Sequence, residues 1–345
     1  MYFEDIFCEI FSKKGVLKNT IGQENTKSQL KSALLMGRHL IIVGPPGVGK
    51  TTLAKNIAKL LPESNVNDCS YHCNPDKPIC PECKTKKVNT KSITGEQRFI
   101  RIQGSPDLTV EDLLGDIDPI KALKFGPLSI EAFTPGKVFK ANNGILFFDE
   151  INRCPEKLQN AMLQLLEEGS ATIGSYDVDL EVNFIFIGTM NPEDTSTEPL
   201  SDVFLDRFDI VYMGYPESLD YERSIVKLNG KSKTKFPDDL LDYMLNFVRD
   251  LRHNKNLEKV PSVRASLGLY ERAQANAVLD NRKQVSYEDI KNAVVSVLSH
   301  RIKLKPSVKY LKDRTEFIKE EFKKYIKSNE EMARLSSLNE RGDGL

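Results

Sequence analysis

One stretch of eight residues, GPPGVGKT at positions 44–51, limits what this chain can fold into more than any other feature. It matches G-x-x-x-x-G-K-[ST], a loop whose backbone N–H groups surround phosphate oxygens. An apolar run over 40–43 precedes it and a helical stripe beginning at Leu53 follows it. The loop therefore joins a buried strand to a helix N-terminus, which is where phosphates bind. We predict that Lys50 reaches the β- and γ-phosphates of a nucleoside triphosphate and that the Thr51 hydroxyl ligates Mg²⁺. The predicted phosphate contacts are Gly44, Pro45, Pro46, Gly47, Val48, Gly49, Lys50, Thr51 and Thr52.

Charge and hydropathy exclude several classes of protein. The 345 residues carry 49 basic and 49 acidic side chains, so the net charge of zero gives no general attraction to nucleic acid. No apolar run approaches the ~18 residues that a membrane span needs. The first residues also lack the basic stretch and apolar segment of a secretory signal. These features predict a cytoplasmic protein that does not insert into membranes.

Short apolar runs alternate with helical patterns in the first part of the chain. The predicted strands lie at 40–43, 99–102, 145–148 and 184–187. Strand–helix alternation predicts an α/β fold in which helices cover both faces of a parallel sheet. After residue 216 only helical patterns remain, so we expect an α/β domain over 1–215 and an all-helical domain over 216–302. The tail 303–345 is rich in Lys and Glu, and we expect it to be a charged, solvated helix.

A second nucleotide-binding element is predicted at residues 145–150. These residues, ILFFDE, form an apolar run that ends in two carboxylates. A buried strand delivers the side chains at its carboxyl end into the site beside the phosphates. Asp149 is suited to orient Mg²⁺ through its waters, and Glu150 to polarise the attacking water. The predicted chemistry is the Mg²⁺-dependent hydrolysis of a nucleoside triphosphate.

Four of the six cysteines lie close together in the sequence and form what we call the four-cysteine knuckle: Cys69, Cys73, Cys80 and Cys83. Four thiolates in a short loop suit tetrahedral Zn²⁺, with no position left for a catalytic water. His72 is an alternative ligand in place of Cys73, and an iron–sulfur cluster or free thiols remain alternatives to zinc. We expect a cysteine-rich insert over about 66–90, in which a structural zinc organises a loop with few core residues of its own.

With these motifs in place, the chain resembles the AAA+ ATPases of the MoxR and magnesium-chelatase ATPase-subunit branch. The resemblance rests on IGQE at 21–24, RIQGSPDL at 101–108 and DEINR at 149–153, the last being similar to the family's extended Walker B motif. It implies a P-loop NTPase domain built as a three-layer αβα sandwich, followed by an all-α lid. It also implies that Ile21 and Gly22 lie on the adenine side of the nucleotide.

Three further residues are assigned catalytic roles by the resemblance. Asn191, in TMNP at 189–192, matches sensor 1, which holds the attacking water. Arg207, in LDRF, matches the arginine finger, which acts across a subunit boundary on the neighbour's γ-phosphate. Arg264, in PSVRASL, matches sensor 2 in the lid, which acts on the phosphates of its own subunit.

Two insertions are also similar to features of this branch. One is a helix-2 insert over about 116–142, and the other is a β-hairpin over about 170–182 with a Gly-Ser turn at Gly174 and Ser175. In such ATPases these insertions act on a client. The resemblance thus implies a homo-oligomeric ring, expected to be a hexamer, that remodels or activates a protein client. That client or partner is expected to carry a von Willebrand A-type domain.

Two other functions are considered. A DNA-dependent motor or helicase-related ATPase is favoured by the lysines around the knuckle and opposed by the neutral charge and the single ATPase module. Those lysines are Lys84, Lys86, Lys87 and Lys91. A nucleotide switch that does not hydrolyse ATP is opposed by the presence of both Glu150 and Arg207.

Overall fold

The chain divides into two units, Met1–Gly214 and Tyr215–Leu345. The computed structural model describes residues 3–127, 129–172, 179–192 and 200–342. The strands of the first unit are β1 (Leu40–Val43), β2 (Ser64–Asn67), β3 (Thr90–Ile93), β4 (Phe99–Gln103), β5 (Gly115–Ile117), β6 (Phe133–Pro135), β7 (Gly144–Asp149), β8 (Ser170–Thr172), β9 (Asp179–Glu181), β10 (Phe184–Met190) and β11 (Asp209–Tyr212). Its helices are α1 (Phe3–Ser12), α2 (Glu24–Leu35), α3 (Lys50–Leu60), α4 (Pro81–Thr85), α5 (Val110–Leu114), α6 (Pro119–Phe125), α7 (Lys137–Lys140), α8 (Glu156–Glu168) and α9 (Asp202–Leu205), with 3₁₀ turns at Ile130–Ala132 and Ile151–Arg153.

A five-stranded parallel sheet forms the centre of the first unit. Its strand order is β11-β1-β10-β7-β4, and every neighbouring pair is parallel. The residues of β1 are buried throughout, as are the first five residues of β7 and the first six of β10, because helices cover both faces of these strands. This confirms the predicted α/β fold with a parallel sheet.

The predicted insertions form small antiparallel pairs outside this sheet. Strands β2 and β3 pair at the base of the cysteine-rich stretch, with Ser64 opposite Ile93. Strands β5 and β6 pair around α6 in the helix-2 region. Strands β8 and β9 form the predicted hairpin, with Ser170 opposite Glu181. The predicted turn at Gly174 and Ser175 lies outside the described residues.

The second unit is built from helices. They are α10 (Leu219–Asn229), α11 (Asp238–Arg252), α12 (Val263–Leu279), α13 (Tyr287–Leu298), α14 (Pro306–Lys309) and α15 (Arg314–Gly342), with a 3₁₀ turn at Ser299–Arg301. Two very short strands, β12 (Leu257–Lys259) and β13 (Lys303–Leu304), form an antiparallel pair that the sequence patterns did not predict. Within the described ranges, no helix combines the length and apolar character that crossing a bilayer requires.

The expectation that the tail is a solvated helix is wrong for its first part. Phe317, Ile318 and Phe322 of α15 are buried in the core of the second unit. The ring of Phe322 lies 4.9 Å from that of Phe247 on α11, in a near-perpendicular arrangement. The first part of α15 is therefore amphipathic. A few apolar side chains on one stripe are enough to attach an otherwise charged helix to a core.

Candidate functional site

The loop that follows β1 has the geometry of a phosphate cradle. Gly47 and Gly49 have φ values of 74° and 109°, in the left-handed region that glycine adopts without steric cost. Helix α3 begins at Lys50, and no side chain caps its N-terminus. The N–H groups at a helix N-terminus can bind an anion, and the helix dipole adds positive potential at the same place.

Two side chains in the first turn of α3 connect the helix to the loop and to β7. Lys50 Nζ donates hydrogen bonds to the carbonyl oxygens of Gly44 at 2.5 Å and Pro45 at 2.9 Å. The ammonium group is thus folded over the loop, at the position a phosphate chain takes in such cradles. Thr51 Oγ1 lies 3.4 Å from Asp149 Oδ2, which brings the loop together with the end of β7. Thr52 follows in the same turn.

Asp149 ends β7 and receives partners from both neighbouring strands. Its Oδ2 lies 2.6 Å from Arg101 Nη2 on β4, and its Oδ1 accepts a hydrogen bond from the Thr189 hydroxyl on β10 at 2.7 Å. Hydroxyl and carboxylate oxygens are the ligands that Mg²⁺ prefers, so Thr51 and Asp149 form a fitting donor set. Sequence reasoning missed Arg101 and Thr189 as members of this site.

Glu150 has an unusual backbone conformation. Its φ and ψ are 57° and 54°, the left-handed region that costs a non-glycine residue about 1–2 kcal/mol. Its N–H donates to Thr189 Oγ1 at 3.0 Å, while its carboxylate accepts from Gln103 Nε2 at 3.0 Å and lies 3.3 Å from Arg153 Nη1. Such strain is concentrated at functional sites, where surrounding contacts maintain it.

The remaining predicted nucleotide-site residues are distributed as follows. Asn191 directly follows β10, and its carbonyl oxygen lies 3.5 Å from Asn152 Nδ2. Ile21 and Gly22 precede α2, and the neighbouring Thr26 hydroxyl donates to the Tyr212 carbonyl at the end of β11. Because β11 pairs with β1, this segment is anchored beside the strand that leads into the phosphate loop.

The two predicted catalytic arginines belong to different units. Arg207 follows α9 in the first unit, where its Nη2 lies 2.9 Å from Glu167 Oε2 and its Nη1 donates to the Val203 carbonyl at 2.6 Å. Arg264 lies in the first turn of α12 in the second unit, and its side chain is exposed.

The four-cysteine knuckle is a compact sulfur cluster. The Sγ atoms of Cys69, Cys73, Cys80 and Cys83 all lie within 4.8 Å of one another. Backbone N–H groups point at the sulfurs: Cys80 N donates to Cys73 Sγ and Cys83 N to Cys80 Sγ, both at 3.4 Å. The hydrogen bond from the Cys73 thiol lowers the pKa of Cys69 to about 5, whereas burial raises the pKa of Cys83 to about 12. Four cysteine sulfurs this close together can bind a thiophilic cation.

The surroundings of the knuckle correct two expectations. His72 lies outside the sulfur cluster, and its Nδ1 is 3.0 Å from the Lys140 carbonyl oxygen on α7, so Cys73 is the residue that completes the set. The loop also has core residues of its own. Tyr71, Cys73 and Cys80 are buried in the main core of the first unit, and the Tyr71 ring packs edge-on against Phe139. Sequence patterns missed this packing because Phe139 is distant in the chain.

Comparisons with known proteins agree with this geometry. Three family profiles match successive parts of the chain: the magnesium chelatase subunit ChlI family over 16–75, the ATPase family associated with various cellular activities over 78–210, and the AAA lid domain over 257–321. Together these matches cover most of the chain and include both the phosphate loop and Glu150.

Relatives of this chain are similar to it over most of its length. A magnesium-chelatase subunit ChlI homolog from Methanocaldococcus jannaschii is 28% identical over 83% of this chain and 85% of its own length. The magnesium-chelatase 38 kDa subunit of Acidiphilium rubrum is 26% identical over 77% of this chain and 84% of its own. A cryo-EM-based structure of the complex between subunits BchI and BchD of magnesium chelatase has 21% identity and a TM-score of 0.48, over 84% of this chain and 96% of that one. The chain is an AAA+ ATPase that is similar to the magnesium-chelatase ATPase subunits and carries an added four-cysteine cluster.

Proposed function

We propose that this ATPase hydrolyses ATP at the interface between two copies of itself in a homo-oligomeric ring, and uses the turnover to remodel or activate a protein client. The observation that carries the proposal is the convergence of the phosphate loop on the carboxyl end of β7, where Thr51 Oγ1 lies 3.4 Å from Asp149 Oδ2. Glu150 follows immediately and is held by Thr189. A cation-binding pair beside a constrained carboxylate is the arrangement that phosphoryl transfer to water requires.

In this proposal each residue of the site has one task. Lys50 exchanges its carbonyl partners for the β- and γ-phosphates, and the loop N–H groups bind the same oxygens. Thr51 and Asp149 hold Mg²⁺, which neutralises charge on the phosphates when it is bound. Glu150 accepts a proton from the attacking water, and Asn191 positions that water.

Two arginines supply positive charge to the transition state. We assign Arg207 to the γ-phosphate of the neighbouring subunit and Arg264 to the phosphates of its own subunit, on the match to the family's motifs. A guanidinium delivered in trans to a developing phosphoryl charge typically contributes ~10³–10⁵ in rate. The Arg207 side chain is 26% exposed, so its own subunit does not enclose it completely.

The client is proposed to be a protein, with a von Willebrand A-type domain in the client or its adaptor, and the ring to be a hexamer. Helix α6 in the helix-2 region supports a protein contact, because Ile120 and Leu123 on it are 80% and 91% exposed. Two neighbouring apolar side chains with such exposure are typical of a surface that meets another protein.

The decisive experiment compares Glu150→Gln with Glu156→Gln, a matched control on the exposed start of α8. We expect Glu150→Gln to retain ATP binding and lose turnover, while the control keeps both. Light scattering with ATP should show assembly beyond the monomer, and partners captured on the Glu150→Gln ring should be proteins. Full turnover in Glu150→Gln, or a monomer at saturating ATP, would contradict the proposal. Salt-sensitive stimulation by DNA would instead support a nucleic-acid motor.

We also propose that the four-cysteine knuckle binds one structural Zn²⁺. A Zn–S bond of about 2.3 Å in a tetrahedron places sulfurs about 3.8 Å apart. Sulfurs that all lie within 4.8 Å need only small movements to reach that geometry. The N–H···S hydrogen bonds support the thiolates, as outer-shell donors do at metal sites.

Metal analysis of protein purified without added metal tests this proposal. We expect about one zinc per chain in the parent protein and in Cys8→Ser, a control cysteine that is exposed and distant in sequence from the knuckle. Cys73→Ser should lose the metal. Iron with visible absorbance would indicate an iron–sulfur cluster instead, and four titratable thiols without any metal would leave the site as free cysteines.

A further inference from the structure

Among the residues that the structure describes, the acidic side chain of Glu167 holds the proposed arginine finger. Glu167 Oε2 lies 2.9 Å from Arg207 Nη2, although the two residues are forty positions apart in the chain. Glu167 is the penultimate residue of α8, and Arg207 follows α9. The contact therefore joins the end of α8 to the segment after α9, and no sequence motif contains both residues.

The other atoms of the guanidinium are fixed by its own segment. Nη1 donates to the Val203 carbonyl at 2.6 Å, and Nε is buried without a hydrogen-bond partner among the described residues. Each terminal nitrogen carries two N–H groups, so one on each remains for another acceptor. An arginine held in this way presents its outer edge in a defined direction.

We propose that Glu167 is a positioning residue for Arg207: its carboxylate holds the guanidinium in the orientation in which its remaining N–H groups meet the neighbouring subunit's γ-phosphate. This inference rests on the proposed function, because it presumes that Arg207 acts in trans. Arginine side chains have many rotamers. If such a side chain becomes ordered only at the transition state, the loss of conformational entropy lowers the rate. Order supplied beforehand by Glu167 removes part of that loss.

The contribution of Glu167 to folding is expected to be small, which makes its role in catalysis separable. The carboxylate is 62% exposed, and ion pairs at such positions add little to stability. A negative charge in the last turn of a helix is moreover unfavourable to the helix dipole, and α8 has no basic residue there. Removing the charge should not unfold the helix, so any loss of activity reports on the finger.

The place of α8 in the chain suggests why this residue is suited to the task. Its 13 residues span about 20 Å, and only the short turn 151–155 separates its start from Glu150. One helix thus begins a short turn after the carboxylate that serves the subunit's own nucleotide and carries, near its other end, the residue that holds the finger for the next subunit. A helix positions a side chain more firmly than a loop does.

The test measures steady-state ATPase activity of the full chain for Glu167→Gln, Glu167→Ala and Arg207→Ala. Glu168→Gln is the matched control, because Glu168 is the adjacent exposed acid and pairs with Gln164 rather than with the finger. We expect kcat to fall five- to tenfold in both Glu167 variants, or about 1–1.4 kcal/mol, with the KM for ATP within twofold of the parent. Glu168→Gln should keep the parent kcat.

Mixing and a double variant separate positioning from a general structural defect. Glu167→Ala added to Arg207→Ala should cause no further loss, because both changes act on the same guanidinium. Glu167→Gln subunits mixed with Glu150→Gln subunits should exceed the summed activity of the two alone, since the second supplies an intact finger to the first.

The outcomes distinguish the two levels of the argument. Parent activity in Arg207→Ala would refute the trans-acting finger and hence the proposed function. A second possible result is that Arg207→Ala loses ATPase activity while the Glu167 variants keep the parent kcat or exceed it. That result would overturn only the role of Glu167. A Glu167→Gln defect that mixing fails to rescue would also overturn it, because the fault would then lie in the subunit's own site.

Discussion

The hydroxyl of Thr189 offers the sharpest test of how the active site is held together. It is fully buried, donates to Asp149 Oδ1 at 2.7 Å and accepts from the Glu150 N–H at 3.0 Å. One oxygen thus ties the proposed Mg²⁺-orienting carboxylate to the backbone of the proposed base. Thr189→Val removes both hydrogen bonds while keeping the branched shape of the side chain.

The magnitude follows from these two contacts. A hydrogen bond to a charged group contributes about 1.5–3 kcal/mol to stability, and one between neutral groups about 1 kcal/mol. Because Asp149 and Glu150 are only partly buried, we expect the free energy of unfolding to fall by about 2 kcal/mol. We expect Thr189→Val to reduce the rate of ATP turnover more strongly than it reduces stability. Without the hydrogen bond the left-handed backbone of Glu150 relaxes, and a displacement near 1 Å costs on the order of 10² in rate. We expect kcat to fall 10- to 100-fold.

The assay compares Thr189→Val with Thr189→Ser, which keeps the hydroxyl and loses only a methyl group. Both variants should bind ATP as the parent does, because the phosphate loop is unchanged. Thr189→Ser should retain most of the turnover, and urea unfolding should place it close to the parent. Equal turnover in the two variants would show that the hydroxyl does not hold Glu150, and the account of the strained backbone would be refuted.

Three further predictions concern other parts of the chain. Burial and the nearby charge of Arg38 lower the pKa of His39 to about 4. Between pH 6.5 and pH 4, His39 is therefore protonated in the unfolded chain but neutral in the folded chain, which makes folding less favourable as the pH falls. Urea unfolding should therefore show a loss of about 2 kcal/mol between pH 7 and pH 5, and His39→Asn, which keeps an acceptor for the Phe186 N–H, should lose most of that dependence. Glu222 is fully buried and its carboxylate accepts two hydrogen bonds from Arg252, at 2.6 and 2.7 Å. Glu222→Ala removes the carboxylate that balances the charge of this buried arginine, and it should lower the free energy of unfolding by about 3–5 kcal/mol. An unchanged urea denaturation curve would contradict this prediction. Chelation of the knuckle metal should lower the melting temperature of the parent and leave that of Cys73→Ser unchanged, and equal shifts in both would contradict a metal at this site.

The fold could be predicted from the sequence wherever the signal is local. The runs at 40–43 and 145–148 are apolar throughout because both of their faces are covered, and each lies within a strand of the central sheet. The tail could not be predicted in this way. Phe317 and Ile318 are separated from Phe322 by three charged residues, so the local composition indicates a solvated helix. Their burial depends on Phe247 and its neighbours, which are far away in sequence.

The candidate site was predictable to the extent that it is encoded in motifs. Lys50, Thr51 and the Asp149–Glu150 pair follow from residue spacing alone. Arg101 and Thr189 do not, because their role depends on which strands flank β7. In the sheet, β4 places Gln103 opposite Asp149, and β10 places Gly188 opposite Phe148. Strand order is a non-local property, and no spacing rule along one strand contains it.

The charged groups of the site are balanced before a nucleotide arrives, and this determines what binding has to accomplish. Lys50 is held by carbonyl oxygens and Asp149 by Arg101, while Arg207 is held by Glu167. Partly buried charges without partners would be costly, so a chain that folds without its ligand has to supply substitutes. Binding of Mg²⁺ and ATP is then an exchange of partners rather than the filling of an unbalanced site. The net affinity is the difference between two sets of charge interactions, which keeps it moderate and lets the product leave. Carbonyl partners of Lys50 are neutral and are given up more easily than the ion pairs of the arginines. The phosphate loop should therefore engage first, and the rearrangement of ion pairs around Asp149 should follow.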